Sequence, residues 1–244
     1  MKSRRSEAIV LNTFPARERD KLVVFLTPDE GKVKGWAYGA RSLRSRFGAA
    51  LEPLAKVQIA FIEREGDEIV RIESVDLIRS LFPAQQNLVA NVAASYIAET
   101  VDTFAQSGDP AELIYRLLDH TTAALLERRQ PLAVVAYAEI WMLRLGGIFP
   151  SLRNCVECHG PLGRPLRFAR GGFVCEACAS LGGEVIPNAV SAALDDIMRL
   201  PVSEFTAPPD VLFEVRSLAA TMRRNFLGHE LKSYEVLAGV LTAR

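Results

Sequence analysis

Residues 21–40 read KLVVFLTPDEGKVKGWAYGA. Two runs with strand composition flank Pro28-Asp29-Glu30-Gly31, where proline presets φ and glycine accepts a positive φ. A hairpin is expected, with strands over residues 21–27 and 32–40. Outward from it, residues 7–13 form another short apolar run. Residues 56–62 and 68–77 pair as a second hairpin across Arg64-Glu65-Gly66-Asp67. Five strands within residues 1–80 suit a small closed barrel, because closure removes exposed edges. Barrels of this size point to an OB-fold, with a small SH3-like barrel as the alternative.

The pattern turns helical at Phe82-Pro83. Leu88, Val92, Tyr96 and Val101 mark one face of a helix expected to end near Gly108. Asp109-Pro110-Ala111-Glu112 reads as the next start, with Asp109 as cap and Pro110 at the first helical position, running to about Arg129. Pro131 opens a third helix, and Gly146-Gly147 ends it. Residues 150–187 lose the helical period and hold all four cysteines. Helices resume over residues 191–200, 209–227 and 230–242. The fold class expected is α+β and multidomain. Residues 1–80 form an OB-fold barrel and 81–150 the first part of an all-α domain. Residues 151–187 form an inserted four-cysteine zinc ribbon, and 188–244 the second helical part.

Of the 244 residues 49% are hydrophobic and 24% charged, an ordinary globular balance, and the formal net charge is zero. Charge is unevenly placed. Residues 1–46 hold eleven Lys or Arg against five acids, a net +6. Either a solvated face or a polyanion-binding surface fits that excess. Residues 1–7 are polar, and the apolar run from Ala8 to Leu11 is too short for a signal peptide. A cytoplasmic protein without membrane contact is expected.

The cysteines form two knuckles, Cys155-Val156-Glu157-Cys158 and Cys175-Glu176-Ala177-Cys178, separated by sixteen residues. Two Cys-x-x-Cys turns at such spacing bring four soft ligands together, the donor set of structural Zn²⁺. Arg153, Arg164, Arg167 and Arg170 lie near enough to offset the net −2 of four thiolates on one zinc, or to face nucleic acid. Cys155-x-x-Cys158-His159 also matches haem attachment, which would need export and would leave the second pair unexplained. Neither pair reads as the strand-to-helix junction of a redox motif. A zinc deaminase needs a His-x-Glu, and the sequence has none. Nor does it carry a nucleotide-binding Gly-rich motif. His120, His159 and His229 are widely spaced, and no catalytic residue is assigned.

Several stretches resemble the RecO family of bacterial recombination mediators. They are Glu7-Ala8-Ile9-Val10-Leu11, Glu18-Arg19-Asp20-Lys21, Gly31-Lys32-Val33-Lys34-Gly35, and above all Gly39-Ala40-Arg41-Ser42 through Gly48-Ala49-Ala50-Leu51-Glu52-Pro53. Leu145-Gly146-Gly147-Ile148-Phe149-Pro150 and His229-Glu230-Leu231-Lys232-Ser233 extend the resemblance over most of the chain. Tyr38 departs from it, since the family often has Lys there. The resemblance implies a non-enzymatic DNA repair protein of the RecF recombination pathway. Such a protein binds single- and double-stranded DNA, anneals complementary strands and works with RecR. It helps load RecA on DNA coated by single-strand binding protein, whose C-terminal tail is a further partner. A nucleoid-associated location follows. Some members lack the cysteines, which implies that zinc supports the structure.

Strand alternation puts Lys32, Lys34, Trp36 and Tyr38 on one face, cations for phosphates and rings for unstacked bases. Trp36 and Tyr38 could equally be half-buried barrel residues. The loop carrying Arg41, Arg44 and Arg46 is a candidate phosphate contact. Arg17, Arg19 and Lys21 are further candidates, diluted by Glu18 and Asp20. Two other classes remain open. One is a zinc-ribbon and OB-fold module binding RNA or the transcription machinery. The other is a zinc or redox enzyme, against which a four-cysteine set argues because it closes the metal's coordination shell.

Overall fold

In a computed structural model, described for residues 2–42, 45–64 and 66–242, the chain divides into two compact units, Met1–Arg128 with Val236–Arg244, and Arg129–Glu235. The first unit opens with five strands, β1 (Lys2–Ala16), β2 (Asp20–Thr27), β3 (Gly31–Ala37), β4 (Lys56–Glu63) and β5 (Val70–Arg79). They close a barrel in the order β1-β2-β3-β5-β4. β1 serves two partners. Its first half pairs with β4 and its second with β2, and the register shifts between Val10 and Asn12. A bulge there bends the strand around the barrel. The closing seam is a short parallel pair, Gly35 with Val70 and Trp36 with Arg71. A Cβ on Gly35 would lie 2.3 Å from Cδ1 of the fully buried Ile72, so any larger residue at this seam forces that side chain to shift.

Alternation sends Ala8, Val10, Val23, Phe25, Val57, Ile59, Phe61 and Ile72 inward to the core. A one-turn 3₁₀ helix, Gly48–Leu51, adds Leu51 to that core together with Phe47 just before it. On the opposite wall Ile9, Leu11, Val24 and Leu26 are also buried. Two helices, α2 (Leu88–Phe104) and α3 (Glu112–Leu126), pack against β1 and β2 and follow a single turn, α1 (Phe82–Gln85). Asn87 caps α2, its Oδ1 accepting from the Ala90 N–H at 3.1 Å. Tyr96 and Val101 lie on the buried face of α2, whereas Leu88 is 65% exposed.

The α2–α3 connection departs from expectation. α2 stops at Phe104, and α3 starts at Glu112 with Ala111 at its N-cap and no side-chain cap. Asp109 does not cap, and Pro110 is not helical. Tertiary hydrogen bonds take this loop first. The Ala111 N–H donates to Pro28 O at 2.8 Å, Gly108 N–H to Glu30 O at 3.0 Å, and Lys32 N–H to Gln106 O at 2.8 Å. Gly31 makes the approach possible. Its φ is +60°, and a Cβ there would lie 2.4 Å from the carbonyl oxygens of Gln106 and Asp109.

A polar clasp also joins α3 to the barrel. Lys56 Nζ lies 3.0 Å from Asp119 Oδ2 and 3.2 Å from Glu7 Oε2. Arg79 meets Asp119 at 2.6 Å, and the Tyr115 hydroxyl donates to Glu7 at 3.0 Å. Burial alone would raise the Asp119 carboxyl, but Lys56 and Arg79 more than offset it and hold it below the usual range. Burial and the Glu7 carboxylate push the Tyr115 phenol up.

The second unit contains α4 (Pro131–Leu145), α5 (Asn188–Arg199), α6 (Pro209–Leu227) and the start of α7 (Lys232–Thr242). Pro131 opens α4 and Gly146 closes it, as read from the sequence. Between α4 and α5 lie short strands β6 (Arg167–Ala169), β7 (Gly172–Val174) and β8 (Glu184–Val185), in the order β7-β6-β8. Glu139, 3% exposed, receives Arg216 at 3.0 Å and Arg223 at 3.1 Å. Arg223 also meets Glu230 at 2.5 Å and stacks over Tyr234. No described helix is long and apolar enough to cross a membrane.

Two outcomes follow. Glu139→Ala removes the buried carboxylate that Arg216 and Arg223 share and should destabilise the chain by about 3–5 kcal/mol in denaturant unfolding. Asp119, with its lowered pKa, contributes stability that is full above the usual carboxylate range. That contribution disappears as pH falls through the folded value. Stability measured against pH should therefore drop on the acid side, and Asp119→Asn should flatten that limb.

Candidate nucleic-acid interface and metal centre

The barrel wall is covered at one end and open at the other. Beyond the part covered by α2 and α3, the register aligns one outward residue from each strand. Phe14 pairs with Leu22, Leu22 with Trp36, Trp36 with Arg71, and Arg71 with Ile62. Phe14 is 45% exposed, Arg71 is exposed, and Leu22, Trp36 and Ile62 are half-buried. Tyr38 follows immediately past the end of β3 and is 43% exposed. Two guanidinium groups sit over these rings, Arg17 at 5.9 Å from the Trp36 centroid and Arg71 at 5.9 Å from that of Tyr38.

Hydrogen bonds gather the flanking loops. The Arg41 N–H donates to Arg19 O at 2.9 Å, and its guanidinium donates to Arg17 O at 3.1 Å. Asp20 accepts from the Gly39 N–H at 2.9 Å, so this acid fastens the turn. Arg17, Arg19 and Arg41 are exposed, as is Lys34, while Lys21 is half-buried. Arg46 is exposed and lies 4.9 Å over the Phe47 ring. Arg44 lies outside the described residues. Lys32 is committed elsewhere: its Nζ donates to Asp102 O at 2.6 Å and meets Asp102 Oδ1 at 3.2 Å. Arg4 is held by Glu30 and Glu63. Among the described residues, Arg17, Arg19, Lys21, Lys34, Arg41, Arg64 and Arg71 have no ion pair.

A groove of about 670 Å³ runs beside this row, lined by Trp36, Tyr38, Ile62, Arg64, Asp67, Glu68 and Arg71 among others. Sequence reasoning missed Arg64, Arg71 and the apolar members Phe14, Leu22 and Ile62. Alternation identifies each as outward-facing, but only the non-local β3–β5 pairing brings Arg71 beside Trp36.

The four cysteines converge, with all Sγ atoms within 4.8 Å of one another. Cys158 and Cys175 Sγ are 3.7 Å apart. A tetrahedron with metal–sulfur bonds of about 2.3 Å has edges of about 3.8 Å, so this donor set fits a metal ion. The first knuckle is a tight turn in which Cys155 N–H donates to Gly160 O at 2.8 Å and His159 N–H to Cys155 O at 3.0 Å. Val156 N–H donates to Phe173 O at 3.0 Å, tying that knuckle to β7. The second knuckle does follow a strand: β7 leads into Cys175, and a 3₁₀ turn, Cys178–Leu181, begins at the last cysteine. That turn is a single 3₁₀ turn, so the second knuckle is not the strand-to-α-helix junction of a redox motif.

Backbone N–H groups of Cys158, Cys175 and Glu157 hold the Cys155 thiol down at about 6. Shared hydrogen bonds with Cys175 and Cys158 push Cys178 up to about 12. Cys158 is pulled down by the Gly160 N–H, but the thiols of Cys155 and Cys175 leave it raised. Four neighbouring thiols cannot all ionise by themselves, and a divalent cation at their centre removes that conflict. Two of the nearby arginines answer carboxylates, Arg170 with Glu157 at 3.4 Å and Arg164 with Asp195 at 2.5 Å.

A family model described as Recombination protein O N terminal matches residues 1–81, and one described as Recombination protein O C terminal matches residues 85–235. The chain is 35% identical over 211 residues to a DNA repair protein RecO of Koribacter versatilis, covering 84% of this chain and 85% of the relative. It is 30% identical over 242 residues to a DNA repair protein RecO of Myxococcus xanthus, covering 96% of each. A third relative of the same description, from Anaeromyxobacter sp. strain Fw109-5, is 32% identical over 239 residues, 94% of this chain and 93% of its own.

The thiolate cluster makes a direct expectation. Native mass spectrometry of the purified chain should find one bound metal ion, and Cys175→Ser with Cys178→Ser should lose it. Chelator should lower the melting temperature of the parent chain and leave that variant unmoved.

Proposed function

The chain belongs to the RecO family of DNA repair proteins, and from that premise we propose that it is a non-enzymatic mediator that binds single- and double-stranded DNA through the open wall of its barrel and anneals complementary strands. Working with RecR, it helps load RecA on strands coated by single-strand binding protein, and it contacts that protein's C-terminal tail. It acts in the cytoplasm at the nucleoid. Zn²⁺ in the four-cysteine set supports the second unit's short strands and takes no part in chemistry.

The observation that carries the reading is the outward row Phe14–Leu22–Trp36–Arg71 with unpaired cations on both sides of it. Arg41 is tied to Arg19 by a backbone hydrogen bond and to Arg17 by one from its guanidinium to the Arg17 carbonyl, so a phosphate meets charges already gathered. Rings beside them accept unstacked bases, worth about 1–3 kcal/mol each. A strand held this way by its phosphates has lost much of the charge that repels a complement, which favours annealing.

Fluorescence anisotropy with a labelled oligonucleotide at rising salt tests this. The chain should bind at low salt, with a steep negative slope of log affinity on log salt. Arg17→Ala with Arg41→Ala should weaken binding and reduce the slope by about one for each phosphate that is no longer neutralised. Annealing of complementary strands precoated with single-strand binding protein should accelerate with the parent chain and slow with the variant. No binding in dilute buffer would refute the proposal.

A further inference from the structure

We infer that the groove beside Trp36 and Tyr38 selects bases bearing an exocyclic amine from a single strand, with Asp67 and Glu68 as the reading residues. This deepens the DNA-binding reading of the barrel wall and rests on it.

The groove's volume of about 670 Å³ is far more than a phosphate needs, and lies within the range of small-ligand sites. Its lining combines three chemistries. Trp36 and Tyr38 supply rings, Arg64 and Arg71 supply positive charge, and Asp67 and Glu68 supply carboxylates. A surface serving only a phosphodiester would gain nothing from two acids, which repel it. Nor do these acids serve the fold. Among the described residues, neither the Asp67 nor the Glu68 side chain has an ion-pair or hydrogen-bond partner, and both residues are exposed. Arg64 and Arg71 are not ion-paired with them, although all four line one groove.

A nucleotide answers all three features. Its phosphate suits the arginines, and its base face suits the rings. Stacking accepts any base, so the rings give affinity without choice. The carboxylates supply the choice. An ionised carboxylate only accepts hydrogen bonds. Cytosine N4 and adenine N6 carry amine donors, whereas thymine presents O4 as an acceptor. Thymine's one ring N–H lies between two carbonyl oxygens, which repel an approaching carboxylate. Stacking hides the base faces in a duplex, so a base that lies on Trp36 or Tyr38 while a carboxylate reads its amine comes from an unpaired strand.

The test compares equal-length oligo(dC) and oligo(dT), two pyrimidine strands that differ at the amine, by anisotropy at neutral pH and low salt. The full chain should bind oligo(dC) about fivefold more tightly. Asp67→Asn with Glu68→Gln should bring the ratio close to one, because an amide both donates and accepts. Equal affinity in the parent chain, or an unchanged ratio in the double variant, overturns the inference. Equal, salt-sensitive binding of both oligomers does so while leaving the DNA-binding reading standing. If neither oligomer binds in dilute buffer, both readings fall.

Discussion

The first unit depends on one seam, the parallel contact of β3 with β5. Parallel neighbours cannot be joined by a tight turn, so the chain must leave β3, cross an end of the barrel and return through β4 before β5 can close it. That crossing contributes Phe47 and Leu51, 3% and 1% exposed, to the barrel core. The seam is narrow enough that Gly35 has no room for a side chain against Ile72. Closure also sets Trp36 directly beside Arg71. The same contact that removes two sheet edges therefore completes the aromatic and cationic row on the outside.

The barrel's outer wall is used in two ways. Where α2 and α3 cover it, the outward positions are Ile9, Leu11, Val24 and Leu26, and the nearby cations Lys32, Lys56 and Arg79 are bound to Asp102, Asp119 or Glu7. Beyond those helices, the outward positions include rings and guanidinium groups that have no ion pair among the described residues. Net charge is a poor guide to such a surface, since it is zero for the chain. What matters is which positive charges are already neutralised within the fold.

Much of this was legible in the sequence because it is local. The Pro28–Gly31 turn, the alternation of Lys34 and Trp36 against Val33 and Gly35, the Pro131 helix start and the paired cysteines are each decided by neighbours along the chain. Tertiary choices were not legible. Asp109 and Pro110 have good local chemistry for a helix start, yet the β2–β3 turn claims the Ala111 N–H. Lys32 looked like a free cation until Asp102 was folded beside it. Arg71 had no visible tie to Trp36, because alternation tells which way a side chain points and not which strand lies next to it.

The second unit meets a different constraint. Its ribbon has strands of three, three and two residues, too short to hold together through ladder hydrogen bonds. Its apolar support is small: Leu166, Phe173 and Val174 are buried, with Phe149 edge-on to Phe173 at 6.1 Å. A cation joining both knuckles would supply the cohesion such a segment lacks, since metal binding to ligands not otherwise held in place is folding free energy. The donor chemistry fits that task better than catalysis. Four sulfur ligands complete a tetrahedral shell and leave no position for water or substrate.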